Sequence, residues 1–99
     1  MHASLIVVFT ERLGEVRDFY IGLGFDFAEE RHGTGPVHYA AVLDGGVVFE
    51  LYPAGRRPPT GYLRLGFAVR VGAVRCGLVA GRHVLTDPDG RTVDLDVQP

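Results

Sequence analysis

Apolar residues follow two different periods along the chain, and each change of period marks an element. Residues 5–9 are apolar on both faces, which predicts a strand covered on both sides. Thr10 then offers a cap. Leu13, Val16, Phe19, Tyr20 and Leu23 fall at i, i+3, i+6, i+7 and i+10, an amphipathic helical stripe with Glu15, Arg17 and Asp18 on the wet side. Gly24 supplies the C-cap. Residues 25–31 alternate as a second strand, with Phe25 and Phe27 against Asp26 and Ala28, until the loop 32–36 breaks it. Residues 37–43 and 47–52 read as two further strands joined by Asp44-Gly45-Gly46.

After Pro53, residues 54–61 are linker by composition, stiffened by prolines. The pattern then starts again. Residues 62–69 predict a strand, and Val71, Val74 and Leu78 a short helical stripe ending near Gly81. Residues 82–86 and 91–97 flank Asp87-Pro88-Asp89-Gly90, where Pro88 presets a type I turn and Gly90 lets the next strand begin. That last strand places Val93, Leu95 and Val97 on one face and Thr92, Asp94 and Asp96 on the other.

With 99 residues there is one domain at most, close to the lower size limit for an adequate core. The 46% hydrophobic content describes a soluble globular chain, and a net charge of -2 gives no electrostatic reason to expect nucleic acid or membrane as a partner. Cys76 is the only cysteine, so an internal disulfide and a thiolate metal cluster are both excluded, and it reads as small core filling. The first apolar run is too short for a signal-peptide core or a membrane span, which predicts a cytoplasmic protein.

Several segments together carry a resemblance that no single one would. Phe19-Tyr20-Ile21-Gly22-Leu23-Gly24-Phe25, the acid-bearing stretch from Gly45 to Leu51, the strand from Leu65 to Val69 and the Asp87 hairpin resemble the corresponding parts of the glyoxalase/bleomycin-resistance/extradiol-dioxygenase superfamily, the vicinal oxygen chelate proteins. The resemblance covers nearly the whole chain. It implies an α+β fold of two βαβββ-like modules that form a curved mixed sheet cup with helices outside. Module one would span about 3–53 and module two about 62–98, the second truncated by a strand. A truncated module leaves an edge for a second copy to cover, so a homodimer is expected.

Metal-dependent members of that superfamily place one ligand on the first strand and one on the last strand of each module. Here those positions fall on Leu5, Glu50, Arg64 and Asp94. Leucine has no donor atom and a guanidinium has no lone pair to give, so two of the four cannot bind a metal. Glu50, Arg64 and Asp94 then read as a charge network that anchors a small-molecule ligand, with Phe9, Tyr39 and Tyr52 as walls, no catalytic residue and no cofactor. In this reading Ala41 and Tyr39 stand opposite Glu50, and His38 lies on the other face.

Two alternatives remain open. A divalent-metal lyase or dioxygenase would need Glu50 and Asp94 joined by His2 or His83. A structural or regulatory dimer would keep the fold and bind nothing.

Overall fold

The strands fall into two groups, and the same pairing rule organises both. The computed structural model describes residues 1–99. Strand β1 (Leu5–Thr10) leads into helix α1 (Leu13–Leu23), followed by β2 (Ala28–Glu30), β3 (His38–Val42) and β4 (Val48–Pro53). Strands β5 (Arg64–Arg70), β6 (Gly81–Thr86) and β7 (Thr92–Gln98) complete the chain. The first sheet has the order β1-β4-β3-β2 and the second β5-β7-β6. In each, the first strand runs parallel to the last, and the last runs antiparallel to the one before it. The protein is thus a small α+β fold of one helix and two mixed sheets that do not close into a barrel. No helix is long and apolar enough to cross a membrane.

Helix α1 buries Val16, Tyr20 and Leu23 from the predicted stripe. Gly24 ends it at φ 116°, and the Phe25 amide donates back to the Tyr20 carbonyl at 3.1 Å. Thr10 is not the helix cap: it is the last residue of β1, and its hydroxyl accepts the Arg12 amide at 2.9 Å while Arg12 occupies the cap position. The second strand is shorter than its alternation predicts. Phe25 and Phe27 lie before it and turn into the core, their rings stacked with centroids 5.8 Å apart.

The core is shared by both sheets. Phe49 of β4, Tyr20 of α1, Phe25 and Phe67 of β5 meet with centroid separations of 4.9–6.5 Å, and Val93, Leu95 and Val97 of β7 are buried beside them. One helix therefore serves two sheets.

No second helix forms. Residues Val71–Ala73 make a single 3-10 turn, and Val74 and Leu78 pack against the core from an irregular connection. Gly72 lowers helical stability, Gly77 takes φ 81° and Gly81 φ 130°, values that end any helix begun there. Arg75 fixes this connection to the end of α1: its guanidinium donates to the carbonyls of Ile21 and Phe25 at 2.8 and 3.2 Å and pairs with Asp26 at 2.8 Å. It thereby adds a second bond to the Ile21 carbonyl, which already accepts the Gly24 amide at 3.0 Å, and ties the last turn of α1 to the residues that follow it. Cys76 follows on the surface rather than in the core, because the missing helix has no inner face to hold it.

The Asp87 hairpin forms as its sequence requires. The Asp87 carboxylate accepts the amides of Asp89 and Arg91 at 2.9 and 3.0 Å, and the Gly90 amide closes the turn onto the Asp87 carbonyl at 2.9 Å. Its second oxygen accepts the Tyr20 hydroxyl at 2.8 Å and the Arg91 guanidinium at 3.1 Å. Burial and this bond to a carboxylate push the Tyr20 phenol pKa well above its usual range.

Candidate functional site

Because side chains alternate along a strand, each sheet has one face on the shared core and one open face. On the open face of the first sheet, Val7 lies beside Glu50 and Phe9 beside Tyr52 across β1 and β4. Across β3 and β4, Ala40 is the residue opposite Glu50 and Tyr39 the residue opposite Leu51. The register is one residue away from the sequence expectation. The cause is the turn: Leu43 pairs with Val47, which leaves the three residues Asp44, Gly45 and Gly46 in the loop, with both glycines at positive φ. A shift of one residue turns every side chain of a strand to the other face.

Two residues change place as a result. Tyr39 points to the helix side, where its hydroxyl accepts the Arg17 guanidinium at 2.9 Å and donates to Glu29 at 3.3 Å. It is not a wall around Glu50. His38 comes onto the Glu50 face and becomes the centre of the constellation.

The His38 ring is 1% exposed. Its Nδ1 lies 3.2 Å from the Pro36 carbonyl, and since a carbonyl only accepts, Nδ1 carries a hydrogen. Its Nε2 faces Glu30 at 3.3 Å and Glu50 at 3.9 Å. Tyr52 stacks on it at 4.1 Å between centroids and 10° between planes, and His32 covers it at 5.0 Å. The Tyr52 hydroxyl is 3.2 Å from Nε2, but nearly parallel rings lie in separate layers. It therefore reaches the nitrogen from above the ring and not along the in-plane lone pair. Burial, then the negative charges of Glu50 and Glu30, raise the Tyr52 pKa and keep its hydroxyl protonated.

Glu50 itself is only 16% exposed in its side chain, and no guanidinium pairs with it. Phe9 tilts against Tyr52 at 5.7 Å, with the Arg57 guanidinium 5.3 Å over its ring. A largely desolvated carboxylate thus stands among aromatic rings and the small side chains of Val7 and Ala40.

The other two members of the expected triad form a separate pair on the second sheet. Arg64 holds Asp94 in a two-bond fork at 2.8 and 3.0 Å, and both side chains are exposed. The Asp94 contact raises the Arg64 pKa further. An exposed pair of this kind contributes little to stability. Neither alternative histidine completes a metal set with Asp94. His83 pairs with Leu95 on the core side while Val84 stands opposite Asp94, and its Nε2 bonds the Val79 carbonyl at 2.8 Å. His2 is exposed ahead of β1.

A cleft of about 670 Å³ lies elsewhere, between the end of β3 and β5, lined by Phe25, Ala41, Leu43, Phe67, Ala68 and Arg70 among others. It includes none of Glu50, Arg64 and Asp94. Volume alone does not make a site; convergent polar groups in a partly dry setting do, and these are on the open face of the first sheet.

No protein-family model matches this chain, and no curated protein does. Of the residues expected at the site, Glu50, Tyr52 and Phe9 lie together on this face, and His38, Glu30 and His32 beside them were not among those expected. The available signal was the Glu30-x-His32 spacing just before His38, which a hairpin folds together.

Proposed function

We propose that this chain is a small-molecule binding protein of the glyoxalase/bleomycin-resistance type, which holds its ligand against the open face of the first sheet. The observation that carries this reading is the setting of Glu50: mostly buried, unmatched by any guanidinium and flanked by the Tyr52 and Phe9 rings. Such a site suits a compact cationic or aromatic compound, whose charge would meet the carboxylate and whose rings would stack. Binding of this kind calls for no metal at the family's strand positions, since Leu5 has no donor and Asp94 is already held by Arg64.

In this reading the two sheets are the two modules of a cup, the second reduced to three strands, and a second copy closes it. Exposed Leu5 and Val42 on one open face and Val84 on the other support a homodimer, as do the free edges of β2 and β6. Sequestration of a drug or metabolite is the role such a cup would serve.

The test is a thermal-shift screen of small cationic and aromatic compounds in the presence of a chelator, run on the wild type and on Glu50→Gln. A compound at a hundred times its Kd should add about 2.7 kcal/mol of apparent stability to the wild type. Glu50→Gln should lose most of that gain. Equal shifts in both proteins, or no hit from a broad set, would remove Glu50 as the anchor and favour a dimer without a ligand.

A further inference from the structure

The hairpin of β2 and β3 brings three metal-ligating side chains to one point. Glu30 and His38 are cross-strand partners, and His32 stands in the loop between them. Their donor atoms all lie within 4.8 Å of one another. We propose that Glu30, His32 and His38 bind a divalent first-row transition ion of the zinc type, its fourth position left to water. This goes beyond the small-molecule reading, and the ion would sit on the hairpin, not on the first and last strands of a module.

The geometry suits such an ion. Zinc takes nitrogen and oxygen ligands at about 2.0–2.2 Å, so tetrahedral neighbours are about 3.3–3.6 Å apart. Glu30 and His38 are 3.3 Å apart, and Glu30 and His32 are 3.9 Å apart. His32 is exposed on a turn and can close the remaining few tenths of an ångström.

The orientation of His38 is already fixed as a ligand's would be. Its Nδ1–H is donated to the Pro36 carbonyl, the outer-shell bond that directs Nε2 at a metal. Tyr52 stacks on the ring and His32 lies tilted beside it with centroids 5.0 Å apart, while Nε2 is 3.3 Å from the Glu30 carboxylate. A cation between Nε2 and the carboxylates, a metal ion or a proton, offsets the repulsion between its lone pair and their charge. Two imidazoles and one carboxylate are mixed nitrogen and oxygen donors without thiolate, a set that favours zinc, nickel or cobalt over magnesium and calcium.

The experiment is calorimetric titration of chelator-stripped, untagged protein with Zn²⁺, with Mg²⁺ as control and Co²⁺ as a spectroscopic probe. The expected result is one Zn²⁺ per chain, no Mg²⁺ heat, and an intense visible Co²⁺ band of a four-coordinate site. His32→Gln lies in an exposed turn, so its folding is not in question, and it should weaken Zn²⁺ at least about tenfold, the lower bound for losing even an outer-shell partner. His38→Gln should do the same, while His83→Gln should bind as the wild type does. Absence of stoichiometric Zn²⁺, or Zn²⁺ affinity unchanged by both His32→Gln and His38→Gln, would overturn the proposal. No organic ligand enters this titration, so its failure would leave the small-molecule reading standing, and the chelated thermal-shift screen is independent of it.

Discussion

Asp87→Ala should destabilise the protein by about 3 kcal/mol or more, as breaking a buried ion pair from one side does. Arg91 is 0% exposed, and its Nε has no partner even in the intact protein. Its charge is met by Asp87 at 3.1 Å, by Asp89 at 3.0 Å and by the Thr60 carbonyl at 2.9 Å. Removing Asp87 also strands the Tyr20 hydroxyl and two turn amides. Asp89 remains to hold the guanidinium, which places the loss at the lower end of the range for such pairs. A domain has a total stability of about 5–15 kcal/mol, so the variant should lose roughly a fifth to more than half of it. Urea unfolding followed by circular dichroism would show a lower midpoint with the slope unchanged. A loss under about 1 kcal/mol would mean that Arg91 finds water or another acceptor, and that the network does not hold the last hairpin to α1.

Phe49→Ala should cost about 3–5 kcal/mol, the usual range for emptying a fully buried phenylalanine site. Phe49 packs on Tyr20 and Phe25 at 5.3 Å, on Phe67 at 5.7 Å and on Phe27 at 6.3 Å. These neighbours come from the helix, its exit and the second sheet, so the ring joins the two sheets through one contact set. Collapse around the void is restricted because strand pairing fixes β4 on both sides. Guanidinium unfolding of the variant measures the cost directly. A value near 1 kcal/mol would mean that the sheets are joined elsewhere, for example through Thr60, which bonds Phe9 of β1 and whose carbonyl accepts the guanidinium of Arg91 ahead of β7.

The sequence made the elements legible wherever local chemistry and period agreed. Helix α1 has a clear stripe and a glycine stop, and the Asp87 turn has each of its residues in a role that local hydrogen bonding enforces. The false helix over Val71, Val74 and Leu78 shows the limit of spacing: three apolar residues matched the period, but glycines and the hold of Arg75 on α1 decided the backbone. Arg91 was hidden for a different reason. It reads as a polar strand start, and nothing local indicates that Tyr20 and Thr60 will bury it.

The candidate site depended on one residue of register. Glu50 was legible as the acid of the fourth strand, and Tyr52 follows from the period of two. Whether His38 or Tyr39 joined them was set by a three-residue turn whose length the Asp44-Gly45-Gly46 motif does not specify. The Arg64 and Asp94 pairing was local to parallel neighbours, so both residues were recognisable, but their separation from Glu50 follows from tertiary placement of the two sheets.

The most direct test of a ligand site on the open face of the first sheet is a two-dimensional amide NMR titration with a compound that stabilises the chelated protein. The predicted result is a set of shifts concentrated at Phe9, residues 38–42 and residues 48–53, with His38, Glu50 and Tyr52 among the largest. Shifts concentrated instead at residues 23–26 and 66–70 would place the ligand in the cleft between the sheets and contradict the account.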